Sequence, residues 1–167
     1  MTAFDTSPLI WGVRQLADPP AREFMIARTV RFLEHLSSQD AKIAVPAPDV
    51  AEYLAGFSED EQDAQRRKLE HRFRILSFDA KAAVIAARLW SRKECVKEAR
   101  AAGRIDRHPI KTDCEILACA IAGGAYRIVT GEPEAFRVLA RGFPIMVDEV
   151  PDVPQQKSLA FDRGDAG

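Results

Sequence analysis

Strand-like and helix-like segments alternate along this chain from its first residues to about residue 150. Short apolar runs, many of them containing β-branched residues, are separated by longer amphipathic stretches. The predicted strands cover residues 2–4, 42–45, 73–77, 126–130 and 143–147. Strands that alternate with helices pack as a parallel sheet covered by helices. The sequence therefore predicts an α/β fold, a three-layer α/β/α domain with a central, mostly parallel sheet of about five strands.

Capping patterns mark the beginnings of two predicted helices. Ser58 and Glu61 have the spacing of a capping box, which predicts a polar helix that runs to about Glu70. Asp79 is predicted to cap one long helix over residues 80–102. Nearer the start of the chain, Pro8 in a first turn favours a helix over residues 7–16, and an apolar stripe favours another over 21–36.

A further capping pattern lies in the last third of the chain. Thr112 and Glu115 have the box spacing, and apolar residues at helical spacing follow them, so a helix is predicted to open at Asp113. Asp49 lies near the start of the helix predicted after the second strand. We interpret Asp49 and Glu115 as helix-capping residues.

Length and charge limit the organisation of the chain. The 167 residues, 47% of them hydrophobic, suffice for one domain with a substantial core, predicted over residues 1–150. Residues 151–167 lack periodicity and are predicted to be a flexible C-terminal tail. The net charge of −1 gives no overall attraction to nucleic acid, so any binding of that kind needs a local basic patch.

The cysteines and the N-terminal residues indicate in which cellular compartment the protein is expected. Three cysteines without a C-x-x-C pair fit a reducing environment. The first residues lack the pattern of a signal peptide, and no apolar run approaches the ~20 residues that span a bilayer. We therefore expect a soluble, cytoplasmic protein with no membrane partner.

Four acidic residues stand where predicted strands pass into helices: Asp5, Glu52, Asp113 and Glu132. Each alone is an ordinary turn, surface or helix-start residue. The carboxyl ends of parallel strands form the ligand-binding edge of an open sheet, so we expect these four side chains to converge there. Gathered carboxylates repel one another unless a proton or a cation holds them together. Hard divalent cations prefer such oxygen ligands, and the pattern predicts a metal site.

Several other site chemistries are disfavoured by the sequence. Ser7 lacks the G-x-S-x-G context of a hydrolase nucleophile, and no glycine-rich loop follows the first strand. A second aspartate two residues after Asp5, as in phosphatases of the haloacid dehalogenase type, is replaced by Ser7. The histidines, His35, His71 and His108, share no ligand spacing and are predicted to lie at the surface.

Four sequence blocks, in order and at the expected separations, resemble those of the PIN domain family. They are residues 5–10 (DTSPLI), 45–56 (VPAPDVAEYLAG), 111–120 (KTDCEILACA) and 124–132 (GAYRIVTGE). The resemblance extends over about residues 1–150, and the size is similar to that of VapC-type toxins of bacterial toxin–antitoxin pairs. It implies a metal-dependent endoribonuclease with a PIN-like fold.

The resemblance also implies roles for the four acids. Asp5, Glu52 and Asp113 are expected to be catalytic and to bind Mg²⁺ or Mn²⁺, directly or through water. Glu132 stands where the family commonly has aspartate. The longer side chain can still ligate, and we expect it to do so through water. Its position before Pro133 is equally that of a simple helix-start acid, and both readings stay open.

Further polar residues are candidates for supporting roles. Thr6 and Thr130 are expected to hydrogen-bond the acids or the substrate phosphate. Lys111, two residues before Asp113, is the predicted contact to the RNA backbone. Two denser basic clusters, residues 66–68 and 88–93, are interpreted as solvated helix faces.

The expected partners are an RNA substrate, a second copy of the chain and a cognate antitoxin, of which the sequence itself carries no sign. Two alternatives remain. One is a catalytically silent PIN-like module that binds RNA or protein, favoured by Glu132 and the modest charge. The other is a nuclease for structured DNA, disfavoured because no added DNA-binding module is evident. Trp11 and Trp90 suit base stacking or the core equally well.

Overall fold

The computed structural model describes residues 1–17, 20–102 and 110–154. Its centre is a five-stranded sheet in the order β3-β2-β1-β4-β5, in which every pairing is parallel. The strands are β1 (Thr2–Phe4), β2 (Ile43–Pro46), β3 (Arg74–Leu76), β4 (Arg127–Val129) and β5 (Met146–Asp148). The parallel sheet predicted from the alternation of segments is confirmed, with each strand within a few residues of its expected place.

The described residues include eight α-helices. They are α1 (Thr6–Leu9), α2 (Phe24–Ser38), α3 (Ala47–Leu54), α4 (Glu59–Arg72), α5 (Ala80–Ser91), α6 (Lys93–Ala102), α7 (Ile110–Ala122) and α8 (Pro133–Ala140). Two short turns lie between α1 and α2, a π-helical turn (Ile10–Arg14) and a 3₁₀ turn (Pro20–Arg22).

Two apolar clusters, one on each face of the sheet, make the domain three-layered. Successive strand residues point to opposite faces. In β1, Ala3 belongs to the cluster formed with α5, α6, α7 and α8, while Phe4 belongs to the cluster formed with α2, α4 and the π-helical turn. In β4, Ile128 and Val129 divide in the same way. The predicted α/β/α arrangement is confirmed.

Two predicted helices differ from those observed. The stretch over residues 80–102 is two helices, because Arg92 leaves helical geometry with a ψ of 70°. Its guanidinium donates to the carbonyl of Leu139, which ties the break to α8. The helix predicted over 7–16 is only one α-helical turn followed by the π-helical turn, and it ends at Gln15 with a left-handed φ of 54°.

The start of α7 also corrects a prediction. The helix already includes Ile110, so Thr112 is an interior residue and not the N-cap of a box that opens at Asp113. Asp113 does lie in the first turn, as predicted. The Ser58–Glu61 pattern is confirmed, since the Ser58 N–H donates to the Glu61 carboxylate at 3.1 Å. Asp79 is confirmed as a cap, since its carboxylate accepts from the Ala82 N–H.

The chain after β5 is described only to residue 154. Val150 is fully buried, and Val153 packs against the same cluster as Phe4. The remainder of the predicted tail and the predicted surface position of His108 lie outside the described residues. Within the part that is described, none of the helices combines the length and apolar character that crossing a bilayer requires.

The central position of α7 generates a stability prediction. Leu117 is 0% exposed in the cluster between α7, α5 and the sheet. Leu117→Ala should lower the free energy of unfolding by about 2–5 kcal/mol, because it removes buried methyl groups and leaves a cavity. Urea unfolding would measure this. The control is Val84→Ala on α5, where Val84 is 53% exposed and the change should be within about 0.5 kcal/mol. Equal effects at the two positions would contradict this packing.

Candidate active site

The site lies at the carboxyl edge of the sheet, where the strand order reverses between β1 and β4. From β1 the strand order proceeds through β2 to β3 on one side, and through β4 to β5 on the other. Such a switch point opens a crevice between the two central strands, outside their carboxyl ends. Asp5 directly follows β1, and Glu132 follows β4 by three residues. The fold therefore places these two predicted acids at the crevice.

An acidic cleft occupies this crevice, and the four predicted acids all line it. Its lining residues are Asp5, Thr6, Ser7, Asp49, Glu52, Asp113, Ile116, Glu132 and Phe136. The cleft has a volume of about 40 Å³, which is room for an ion or a few water molecules. Residues more than 100 positions apart in sequence thus meet around one small polar space.

The carboxyl of Asp5 has a strongly raised pKa. Burial is the main cause that raises the pKa of its carboxyl, two hydrogen bonds lower it, and the charges of Asp113 and Glu52 raise it, so that the pKa is about 7. Those hydrogen bonds come from the Thr130 hydroxyl and from the Ser7 N–H, which donates to Asp5 Oδ1 at 2.9 Å. The hydrogen bonds from Thr130 and Ser7 thus fix the position of the carboxyl, while burial and the neighbouring acids disfavour its ionised form.

Asp49 is a fifth acid of the cleft, and its interpretation as a helix cap is wrong. Pro46 is the N-cap of α3, and the carboxylate of Asp49 accepts from the Thr6 N–H at 3.0 Å, not from its own helix. The residue is fully buried. Asp49 precedes Glu52 by three positions, a spacing that puts both on one helix face. The sequence signal for Asp49 was therefore its three-residue spacing from Glu52. We interpreted Asp49 as a cap instead, because aspartate is common at helix starts.

Thr6 links the two acids of α3. Its hydroxyl lies 2.6 Å from Glu52 Oε2 and 3.0 Å from Asp49 Oδ1. A hydroxyl carries one hydrogen, and the shorter contact marks Glu52 as its acceptor. The Thr6 N–H serves Asp49 in the same place. The first turn after β1 therefore orients the acids of the neighbouring helix.

The donor set fits a hard divalent cation. Burial, with the neighbouring charges of Asp5 and Glu52, raises the pKa of Asp49 well above its usual range. Its Oδ2 is buried without a hydrogen-bond partner. A cation would satisfy such an oxygen and relieve the repulsion, and the ligands on offer are all carboxylates. As the side chains stand, no group of three or more acidic, histidine or cysteine residues in the described ranges is arranged to hold an ion, so binding requires side-chain adjustment.

Glu132 and Thr130 complete the side of the cleft that follows β4. Glu132 is half-buried at the N-cap position of α8, yet its side chain makes no capping hydrogen bond. Its N–H donates to the Thr130 hydroxyl oxygen at 3.0 Å, and Thr130 is fully buried. Thr130 therefore joins Asp5 and the backbone of Glu132.

The basic residues singled out from the sequence lie outside the cleft lining. Lys111 is 70% exposed and lies 4.0 Å from Glu115 on the same helix. Glu115 is thus an ion-pair partner within α7, and its predicted place in a capping box is wrong. Arg66 pairs with Glu70 at 2.6 Å on an exposed face of α4. A role for Lys111 in binding RNA stays a prediction.

Gly131 allows the loop after β4 to pack closely against Ser7 and Trp11 beside the acidic cleft. A Cβ at this position would lie 2.7 Å from Ser7 Oγ and 2.9 Å from Trp11 Cη2. Only a residue without a side chain allows the loop after β4 to approach the turn after β1 so closely. The distance between the two halves of the cleft depends on this contact.

Comparison with known proteins identifies the fold. Neither the known family models nor the curated proteins include a match to the chain. Solved structures do match: a chain of VapBC2 from Rickettsia felis, crystallised with a DNA fragment from the promoter, has a TM-score of 0.58 and 18% identity. The alignment covers 89% of this chain and 97% of that one.

Two further structures agree. A chain of FitAcB from Neisseria gonorrhoeae has a TM-score of 0.59 and 21% identity, with 89% of this chain and 97% of that chain covered. A chain of DNA-bound VapBC from Salmonella typhimurium has a TM-score of 0.57 and 16% identity, with 90% and 98% covered. The chain therefore has the fold of proteins in VapBC and FitAB complexes. The resemblance to PIN-domain, VapC-like proteins is confirmed at the level of the fold.

The buried carboxyl of Asp5 generates a pH-dependent prediction. Asp5→Asn should stabilise the protein, because the neutral amide avoids the cost of burying a charge and can still accept from the Ser7 N–H. The folded pKa of about 7 exceeds the usual 3.8, so the wild type loses stability as pH rises through that window. The gain from Asn should be near zero at pH 4 and reach roughly 2–4 kcal/mol above pH 7.

Thermal unfolding with a chelator present would measure this gain. The control is Asp152→Asn, since the Asp152 side chain is 77% exposed and pairs only at the surface with Arg31. Its melting temperature should stay within a degree or two of the wild type at both pH values. A lower melting temperature for Asp5→Asn than for the wild type at pH 8 would contradict the prediction that burial of the Asp5 charge costs stability.

Proposed function

We propose that this chain is a metal-dependent endoribonuclease of the PIN family that hydrolyses RNA phosphodiesters with Mg²⁺ or Mn²⁺. The observation that carries the proposal is the convergence of five acids on one cleft at the switch point of the sheet. Burial and mutual repulsion raise the pKa of Asp5 and of Asp49. Such an arrangement costs stability, which is typical of a site maintained for function.

The biological role we propose is that of the toxin in a type II toxin–antitoxin pair. Its support is the fold shared with chains of the VapBC and FitAB complexes. We infer that the partners are a cognate antitoxin, a second copy of the chain and RNA in the cytoplasm. An antitoxin that places an arginine or lysine in the acidic cleft would neutralise the same charge as the metal and so block activity.

The metal, held by Asp5, Glu52 and Asp113, with Asp49 and Glu132 beside them, would acidify the attacking water and neutralise charge on the phosphate. The chain supplies the orientation. The Thr6 hydroxyl and the Thr6 N–H fix the two acids of α3, and the Ser7 N–H fixes Asp5. The residues that follow β1 therefore hold these acids in position before substrate binds. Less side-chain rearrangement is then needed when substrate arrives.

Loss of one acid tests the proposal. Asp113→Asn should reduce cleavage of pooled cellular RNA by at least about 100-fold, because the change removes a charge that the metal requires. The measurement is gel or sequencing analysis of RNA incubated with purified protein and Mn²⁺, with a chelator sample beside it. Circular dichroism should show an unchanged fold.

The matched control is Glu115→Gln, on the same helix but outside the cleft lining. It should cleave at nearly the wild-type rate. Undiminished cleavage by Asp113→Asn would contradict the proposal. Absence of metal-dependent cleavage by the folded wild type, freed of antitoxin, would instead favour the silent binding module.

A further inference from the structure

A second pocket neighbours the acidic cleft, with which it shares Glu132, and Gly131 is also part of its lining. It has a volume of about 310 Å³, at the lower end of the ~300–1,000 Å³ typical of small-molecule sites. Its lining residues are Trp11, Arg22, Phe24, Met25, Ala102, Gly131, Glu132, Pro133, Glu134, Ala135 and Glu149. Among the residues that the structure describes, Glu132 alone lines both spaces. We call this space the side pocket.

One wall of the side pocket is aromatic and positively charged. Trp11 is 4% exposed and so is fixed by packing, while Phe24 is 63% exposed. The Arg22 guanidinium carbon lies 5.8 Å from the centroid of the Trp11 ring. An exposed phenyl ring at the start of a helix gains nothing from the core. It offers a flat apolar face on which a planar ligand can stack.

The other wall is acidic. Glu134 is engaged with Arg137 at 2.8 Å, and Glu132 faces the cleft as well as the side pocket. Glu149 is exposed and is anchored by its neighbour Val150, which is fully buried. A ligand that enters between the two walls therefore meets an aromatic face, a cation and carboxylate acceptors that favour N–H donors.

The side pocket and the acidic cleft differ in size. The cleft, at about 40 Å³, is too small for a base, whereas the side pocket, at about 310 Å³, has room for one. Because the two spaces share Glu132, a phosphate bound at the acids of the cleft would have the side pocket next to it. Single-stranded RNA is read where an unpaired base stacks on an aromatic side chain and bonds through its base edge.

We propose that the side pocket binds one unpaired guanine base next to the cleaved phosphate, stacked on Phe24 and read by the Glu149 carboxylate. Arg22 offsets the acidic wall and contacts the RNA backbone. This inference rests on the proposed ribonuclease function for its substrate class. It adds a base preference and a binding residue that lie outside the acidic cleft.

Guanine is the base whose edge matches a carboxylate. It presents two adjacent donors, a ring N–H and an exocyclic amino group, to the two oxygens. Uracil presents one N–H between two carbonyl oxygens, which a carboxylate repels. Cytosine and adenine present one amino donor beside a ring acceptor. A bidentate contact of this kind discriminates by about 1–3 kcal/mol, which converts to about 5- to 150-fold.

The first experiment sequences the ends that the wild type produces from a single-stranded RNA library with random positions. Guanine should be enriched at one position beside the cut. Glu149→Gln should lose that enrichment, because the amide keeps only one acceptor. Phe24→Ala should raise KM about tenfold with kcat little changed, since base stacking is worth ~1–3 kcal/mol. Phe24→Tyr should restore KM, and Phe78→Ala, which removes another exposed ring, should not alter it.

The second experiment measures nucleotide binding without catalysis. In a Trp90→Phe background, Trp11 is the remaining tryptophan, so its fluorescence reports on the side pocket. With a chelator present, guanosine monophosphate should quench it at about tenfold lower concentration than uridine monophosphate. Phe24→Ala and Glu149→Gln should each remove that difference.

The outcomes separate this proposal from the ribonuclease itself. Selective quenching by guanosine monophosphate without RNA cleavage would support the side pocket and contradict the nuclease. Metal-dependent cleavage with unbiased ends and equal quenching by both nucleotides would keep the nuclease and overturn the side pocket as a base site.

Discussion

Repulsion among buried carboxylates is the constraint on which the rest of this site depends. Asp5 is fixed at the end of a strand buried between two others, so it cannot retreat to solvent. Asp49 is fully buried, and burial is the main cause that raises the pKa of both acids. The charge of Glu52 raises the pKa of both, and the charge of Asp5 raises the pKa of Asp49. The surrounding hydrogen bonds, from Thr6, Ser7 and Thr130, hold the acids without neutralising them. The structure therefore stores an unfavourable interaction that a bound cation would relieve.

The fold supplies the stability that this interaction costs. Alternating residues of β1 and β4 contribute to apolar clusters on both faces, and α7 lies fully buried along its inner side. Small residues bring the parts close: Gly131 lets the loop after β4 contact Ser7 and Trp11. The same contact divides the acidic cleft from the side pocket. One glycine thus lies between the acidic cleft proposed for the phosphate and the side pocket proposed for the base.

Local periodicity made most of this fold predictable. The period-2 and period-3.6 patterns gave the five strands and most helices, and the parallel-sheet rule then brought Asp5, Glu52, Asp113 and Glu132 to one edge. Asp49 was missed because a first-turn aspartate is an ordinary helix feature, and only the tertiary approach of Thr6 distinguishes it. The break at Arg92 was missed for a similar reason, since its contact is to Leu139, far away in sequence.

The most direct test of the stored repulsion is the melting temperature with and without Mn²⁺ at pH 7.5, in the wild type and in Asp113→Asn. A cation at about 100 times its Kd adds about 2.7 kcal/mol, which should raise the wild-type Tm by about 5–10 °C. The variant should gain much less, because it has lost one of the charges that attract the ion. A Tm that does not respond to Mn²⁺ in the wild type, or that responds equally in both proteins, would contradict the account.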